Sequence, residues 1–136
     1  MSNIYNLFKF LEKKKGTKTP FKVKLIHAPV ELTDEELDIK GGLDLFDAPI
    51  TSLPDNLKLE KSLNLSFTKT TSLPNNLQVG GNLFVFNTPL SSIPDNLQVE
   101  EDLYVYETPL AKKYRRIEIL KMIKDKGGHV KGRIYA

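Results

Sequence analysis

Three consecutive twenty-residue lines of the sequence align almost letter for letter. They are SLPDNLKLEKSLNLSFTKTT at 52–71, SLPNNLQVGGNLFVFNTPLS at 72–91 and SIPDNLQVEEDLYVYETPLA at 92–111. A diverged fourth line, LTDEELDIKGGLDLFDAPIT, precedes them at 32–51. A fixed period of this length predicts a solenoid, in which each repeat buries its apolar residues against its neighbours. Because solenoids mostly serve as binding surfaces, the repeat favours a binding partner over a reaction.

Each line contains two short segments in which apolar residues alternate with others, as they do along a strand. In the line at 72–91 the first segment holds Leu77 and Val79, and the second holds Leu83 and Val85. The LP(D/N)N motif before them is typical of a turn, because proline fixes φ and Asp-Asn favours tight turns. We therefore expect short strands that stack in parallel from coil to coil. One threonine per coil is expected to satisfy backbone groups at the strand end: Thr68, Thr88 and Thr108.

Both ends of the chain are expected to cap the solenoid, because exposed apolar coils need covering. At the N-terminus, Ile4, Leu7, Phe8 and Leu11 form an amphipathic helical stripe. A strand is then predicted from the alternation of Phe21, Val23 and Leu25 with lysines. At the C-terminus, Tyr114, Ile117, Leu120 and Ile123 predict one helix through residues 111–126, ending at Gly127. A final extended segment is expected at Val130, Ile134 and Tyr135.

The predicted fold is an α+β repeat of one folded domain. Residues 1–31 form an N-terminal cap of helix plus strand, and residues 32–111 form a solenoid of about four coils. Residues 112–136 form a C-terminal cap of helix plus short extended tail. The N-terminus lacks the features of a signal peptide, and no apolar run approaches the roughly 18 residues of a membrane helix. The chain has no cysteine, which excludes disulfides and thiolate metal sites.

Charge is strongly segregated along the chain. Residues 1–30 carry seven lysines and one glutamate, and residues 111–136 carry nine basic and two acidic residues. Residues 31–110 carry four lysines and fourteen acidic residues. One interpretation is attraction between basic caps and an acidic body. The other is contact of the ends with nucleic acid or an anionic surface, which sparse base-stacking aromatics in the basic segments disfavour.

The repeat core L-x-V-x-x-T-x-L resembles the leucine-rich repeat, L-x-L-x-x-N-x-L, with threonine in place of asparagine. The repeat length and the LP dipeptide are similar to the short repeats of secreted bacterial effectors, although the second Leu-Pro pair is absent. A closer resemblance is to small leucine-rich-repeat proteins encoded by tailed bacteriophages of gut bacteria. It rests on SLPDNLxVGGxLxL, on the closing TPLAKKY and on the GGxVKG tail, and spans about Phe21 to Ala136. The resemblance implies a leucine-rich-repeat-like solenoid of phage origin.

The second strand of each coil carries the strongest candidate binding residues. If Leu83 and Val85 point inward, Phe84 and Phe86 point outward, because successive strand residues face opposite sides. The same parity defines an outward patch over the coils: Phe46, Phe84, Phe86, Tyr104 and Tyr106, with Asp44 at its start. Aromatic side chains of this kind suit binding hot spots. Coverage by the C-terminal tail, or by a second copy of the chain, is the alternative.

Acidic residues accompany this patch and form a rim for a basic partner, or simply a solvated surface. They are Asp44, Asp47, Glu100, Glu101, Asp102 and Glu107. No calcium-loop spacing, zinc motif, nucleophile elbow or phosphate-binding loop occurs, and His27 and His129 lie far apart. We therefore expect no catalytic residues, no metal and no cofactor.

The sequence thus favours a non-enzymatic protein–protein interaction module that binds a host or phage protein through the outward patch. Its expected location is the cytoplasm of an infected bacterium or the virion, with no membrane association. Two alternatives stay open. One is a structural role in which the same patch forms a homodimer. The other, less favoured, is nucleic-acid binding through the basic C-terminal helix, at Lys112, Lys113, Arg115 and Arg116.

Overall fold

The computed structural model describes residues 24–26 and 32–136. The chain divides into two units, with the boundary between Leu37 and Asp38. In the first unit, residues 24–26 are helical, where a strand was predicted. That prediction rested on three alternating positions, which are too few to separate a strand from a short helix. The predicted N-terminal helix, together with Phe21 and Val23, lies outside the described residues.

The second unit is a parallel β-solenoid of about three turns. Its first sheet contains β1 (Asp38–Ile39), β3 (Lys58–Leu59), β5 (Gln78–Val79), β7 (Gln98–Val99) and β9 (His129–Val130). Its second sheet contains β2 (Leu43–Asp44), β4 (Leu63–Asn64), β6 (Leu83–Phe84), β8 (Leu103–Tyr104) and β10 (Ile134–Tyr135). Every neighbouring pair is parallel, so each coil places one short strand in each sheet.

The register follows the sequence period. Lys58 pairs with Gln78 and Gln78 with Gln98 in the first sheet, and Leu63 pairs with Leu83 in the second. Successive strands of the first sheet, from β1 to β7, are twenty residues apart. The next turn is longer because it contains the helices, and it ends at β9, which pairs with β7. The repeat lines in the sequence predict about four coils. The four repeat lines contain four pairs of strands, from β1 and β2 to β7 and β8. Because a complete turn runs from one pair to the next, four pairs give three turns.

The core consists of the apolar columns that recur in every repeat line. Leu57, Leu77 and Leu97 are fully buried, as are Leu63 and Leu83 in the second sheet. Burial of one such side chain stabilises the fold by about 2 kcal/mol. Because each column continues from coil to coil, stability comes from contacts between neighbouring coils.

Two polar columns lie at the corners of the coils. The asparagine column joins successive coils, and the threonine column forms hydrogen bonds within each coil. Asn56, Asn76 and Asn96 all adopt positive φ, which asparagine tolerates better than most residues. The Asn76 amide donates to the Asn56 side chain at 2.9 Å, and the Asn96 amide to Asn76 at 3.2 Å. The threonine prediction is confirmed, because each hydroxyl donates to the strand-end carbonyl three residues earlier: Thr68, Thr88 and Thr108.

The C-terminal helical region differs from the single predicted helix. It contains α1 (Pro109–Lys113) and α2 (Arg116–Asp125), separated by extended backbone at Tyr114 and Arg115. The Arg115 N–H donates to the Glu118 carboxylate at 3.0 Å, which caps the new helix.

The buried face of α2 also differs from the predicted stripe. Ile119 and Ile123 are buried, whereas Ile117 is 65% exposed. Residues spaced four apart stay on one helix face, while a strict spacing of three rotates away from it. Gly127 ends the helix with a φ of 79°, as predicted. The predicted extended segment is confirmed and forms β9 and β10. No helix within residues 24–26 and 32–136 has the length and apolar character to cross a membrane.

Candidate functional site

The outer face of the second sheet carries the predicted aromatic residues. Leu83 and Val85 are fully buried, and the intervening Phe84 is half-buried, as is Phe86. Strand alternation therefore places these two rings on the outside of the coil, as the sequence indicated. Parallel pairing of Phe84 with Tyr104 then brings rings from successive coils into register.

A first row of rings runs along this face. Phe84 stacks on Tyr104 with ring centroids 4.7 Å apart and an interplanar angle of 17°. Tyr104 stacks in turn on Tyr135, also at 4.7 Å, with an angle of 13°. Tyr135 belongs to β10, so the C-terminal segment lengthens the row by one ring and does not lie over it.

A second row runs beside the first. Its rings are Phe46, Phe67, Phe86 and Tyr106, with successive centroids 5.0, 5.9 and 4.7 Å apart. The last pair is stacked at 10°, and the Phe67–Phe86 pair is edge-on at 87°. We call the seven rings of both rows the aromatic band: Phe46, Phe67, Phe86 and Tyr106 with Phe84, Tyr104 and Tyr135.

Sequence reasoning missed Phe67, which lies one position later in its repeat than the other rings of its row. The aligned position holds Asp47, Asn87 and Glu107 in the other lines, and all four residues have positive φ. A phenylalanine is unfavourable in this conformation. Ser66 takes the aligned ring position and is fully buried, while Phe67 supplies the ring that links Phe46 to Phe86. The available signal was an aromatic residue at a turn position that holds Asp, Asn or Glu in the other repeat lines.

The band holds most of the exposed large apolar side chains of the described chain. Phe46 is 50% exposed and Phe67 is 47% exposed, with Tyr106 and Tyr135 at 37% and 38%. The remaining one within residues 24–26 and 32–136 is Ile117, on α2. Exposed apolar surface concentrated in one patch is characteristic of interaction sites.

The predicted acidic rim is only partly beside the band. Asp44 and Asp47 flank Phe46, and Glu107 follows Tyr106; all three are exposed. The Asp44 carboxylate accepts a hydrogen bond from the Phe46 N–H at 3.0 Å, which fixes the local turn. The Asp102 carboxylate accepts from the Arg133 N–H at 2.8 Å, so it joins coils.

Glu100 lies on the first sheet, apart from the band. Its carboxylate binds Lys131 at 3.0 Å and His129 at 3.1 Å. The hydrogen bond from Lys131, and then that from His129, lowers the pKa of the Glu100 carboxyl. The grouping of Glu100 with the rim was therefore wrong. The residue follows β7 and not a strand of the second sheet.

A groove of about 750 Å³ opens at the C-terminal end of the band. The aromatic side chains that line the groove belong to the band, together with Tyr114. The basic side chains that line it come from residues 112–116. The lining side chains include Tyr104, Tyr106, Tyr135, Tyr114, Lys112, Lys113, Arg115 and Arg116. The predicted basic residues and the predicted aromatic residues thus meet in one place.

Two contacts order the basic wall of this groove. Arg115 pairs with Glu118 at 3.3 Å, and the Lys113 ammonium lies 5.3 Å from the centre of the Tyr114 ring. Partial burial, followed by the nearby Asp102 carboxylate, raises the pKa of the Tyr104 phenol. The phenol is therefore neutral at physiological pH and able to donate a hydrogen bond.

In the part of the chain that the structure describes, no three His, Asp or Glu side chains gather in a group able to hold a metal ion. Comparison with protein-family models, with curated proteins and with solved structures finds no match for this chain. The chemistry of the surface is therefore the basis for assigning a function.

Proposed function

We propose that the chain is a leucine-rich-repeat-type solenoid that acts as a non-enzymatic protein–protein interaction module. Its binding surface is the aromatic band, with Phe46, Phe84, Phe86, Tyr104 and Tyr106 as contact residues and with Asp44 and Glu107 at the rim. By resemblance it is phage-encoded, binds a host or phage protein, and works in the infected bacterium or the virion. The twenty-residue step and the strand-end threonines support the repeat type.

The observation that carries the proposal is that the two ring rows together extend across all five strands of the second sheet. The first row covers the last three strands, and the second row follows the first four. At about 4.8 Å between strands, five strands span about 19 Å. Aromatic side chains bury large areas at a low cost in conformational entropy, so a row of them suits a hot-spot cluster. The stacking also preorganises the rings, because each ring is held by its neighbours before a partner arrives.

The test is affinity capture from a lysate of infected bacteria with two matched variants. F84A/Y104A removes two stacked rings, and Q78A/Q98A truncates the equivalent outward positions of the first sheet. We expect F84A/Y104A to lose the captured protein and Q78A/Q98A to retain it, with both variants folded by circular dichroism. Equal capture by wild type and F84A/Y104A would contradict the proposal.

Self-association through the same band is the competing outcome. Light scattering of the purified protein over a range of concentrations separates the two. We expect a monomer at all concentrations. A dimer that dissociates in F84A/Y104A and persists in Q78A/Q98A would assign the band to the homodimer instead.

A further inference from the structure

The aromatic band changes character along the solenoid axis. The four phenylalanines occupy the earlier coils: Phe46, Phe67, Phe84 and Phe86. The tyrosines follow them, with Tyr104 and Tyr135 on the last two strands of the second sheet and Tyr106 just after the first of these. The phenol hydroxyls are hydrogen-bond donors, and they occur only at the end where the groove opens. One end of the band is therefore purely apolar and the other is amphipathic.

The charged side chains beside the band also change along the solenoid axis. Asp44 and Asp47 flank the phenylalanine end. At the tyrosine end Glu107 follows Tyr106, but four basic residues line the groove: Lys112, Lys113, Arg115 and Arg116. Among the described residues, no Asp or Glu side chain lines this groove. Within the described residues, Lys112 and Arg116 make no ion pair, so their charges are available to a ligand.

We infer that the partner presents an extended polypeptide segment whose apolar side chains lie on the phenylalanine rings and whose acidic side chains enter the basic groove. The inference rests on the proposed function and specifies the chemistry of its partner. A span of about 19 Å accommodates about six extended residues at roughly 3.3 Å each. A carboxylate in the groove meets lysine and arginine side chains together with tyrosine hydroxyls, which are charge-assisted donors.

A polypeptide fits this surface better than a nucleic acid does. A nucleic acid carries a phosphate at every residue, so a strand laid along the band would place negative charge beside Asp44, Asp47 and Glu107. A polypeptide can confine its acidic residues to the basic end. The stacked pairs also turn their ring faces toward each other, which leaves their edges and not their faces for a base.

The experiment is selection of displayed random peptides against the full chain at low ionic strength. We expect the selected peptides to combine apolar residues with Asp or Glu, and to bind F84A/Y104A poorly. K112E/R116E reverses two groove charges and should weaken these peptides about tenfold. K121E/K124E makes the same change in net charge on α2, outside the groove, and should leave binding within about twofold.

The outcomes separate this inference from the proposed function. Selected peptides that depend on Phe84 and Tyr104 but show no enrichment in acidic residues would overturn the inference and leave the proposed function standing. Failure to select any peptide that loses binding in F84A/Y104A would overturn the inference, whereas loss of the captured protein in F84A/Y104A would still support the proposed function. A labelled oligodeoxythymidylate that binds more tightly than the peptides, and is lost in K112E/R116E, would replace the acidic peptide with a nucleic acid.

Discussion

The two sheets of the solenoid share one backbone pattern and differ on their outer faces. The outward positions of the first sheet form a polar face: Asp38, Lys58, Gln78, Gln98 and His129. On the second sheet the outward positions include Phe84, Tyr104 and Tyr135, and the residues just after its strands supply the other four rings of the aromatic band. Inward residues are alike on the two sides, since Val79 and Leu83 are both buried. Coil formation therefore does not require aromatic side chains on the outside, and their presence on one sheet alone indicates a separate task.

The contacts on the two faces also differ in kind. Lys40 bridges Asp38 at 3.2 Å and Glu60 at 3.8 Å on the polar face, where exposed ion pairs contribute little. On the band, rings stack at 4.7 Å and still leave large apolar area in water. The polar face thus resembles an ordinary solvated surface, whereas the band retains area that a partner can bury.

The largest expected effect distinguishes inward from outward positions. Leu83→Ala should lower the free energy of unfolding by about 2–5 kcal/mol, because it opens a cavity between coils. Phe84→Ala should cost about 1 kcal/mol, since the ring is half-exposed, and Gln78→Ala less than about 0.5 kcal/mol. Urea unfolding measures all three. A cost for Phe84→Ala equal to that for Leu83→Ala would make the band part of the core.

A second effect concerns the strained ring of the band. Phe67→Ala and Phe67→Asn both remove the ring, but only asparagine suits the positive φ at this position. We expect Phe67→Asn to be more stable than Phe67→Ala by about 1 kcal/mol in urea unfolding. Neither variant should retain full partner affinity. Full affinity in Phe67→Asn would show that the second row need not be continuous.

The smallest expected effects are changes in the free energy of unfolding with pH. A residue of the polar face loses its contribution in acid, and a residue of the band loses its contribution in alkali. The lowered pKa of Glu100 means that its contribution to stability is complete above about pH 5 and is lost as the pH falls below 4.5. The difference in unfolding free energy between wild type and Glu100→Gln should therefore shrink in acid. Lys131→Met should reduce that difference at neutral pH, because it removes the main partner. An unchanged difference down to pH 3 would contradict the ion pair.

On the band, the raised pKa of Tyr104 means that its contribution is complete below about pH 10 and is lost as the pH rises further. Tyr104→Phe should remove this part of the alkaline destabilisation, as measured by urea unfolding between pH 8 and 11. Equal alkaline loss in wild type and Tyr104→Phe would show that the phenol keeps its ordinary pKa.

Sequence patterns were sufficient for the regular part of this molecule. The period predicted a solenoid with short parallel strands, and strand parity predicted the outward side of Phe84. Contacts that depend on distant parts of the chain were not predictable in this way. Tyr135 joins the first row only because β10 pairs with β8 after a helical excursion. Phe67 joins the second because its turn geometry turns a ring toward Phe46. The helix break at Tyr114 depends on a cap formed by Glu118. The apolar spacing of three residues in this segment predicted one continuous helix instead.

The most direct test of the central claim is hydroxyl-radical footprinting of the protein with and without its captured partner. Phe46, Phe67 and Tyr106 are exposed in the free chain, and Ile117 on α2 is an exposed apolar residue outside the band. The proposed function predicts protection of the three rings in the complex, with the oxidation of Ile117 unchanged. Protection of Ile117 with the rings still oxidised would place the partner on α2 and contradict the assignment of the aromatic band.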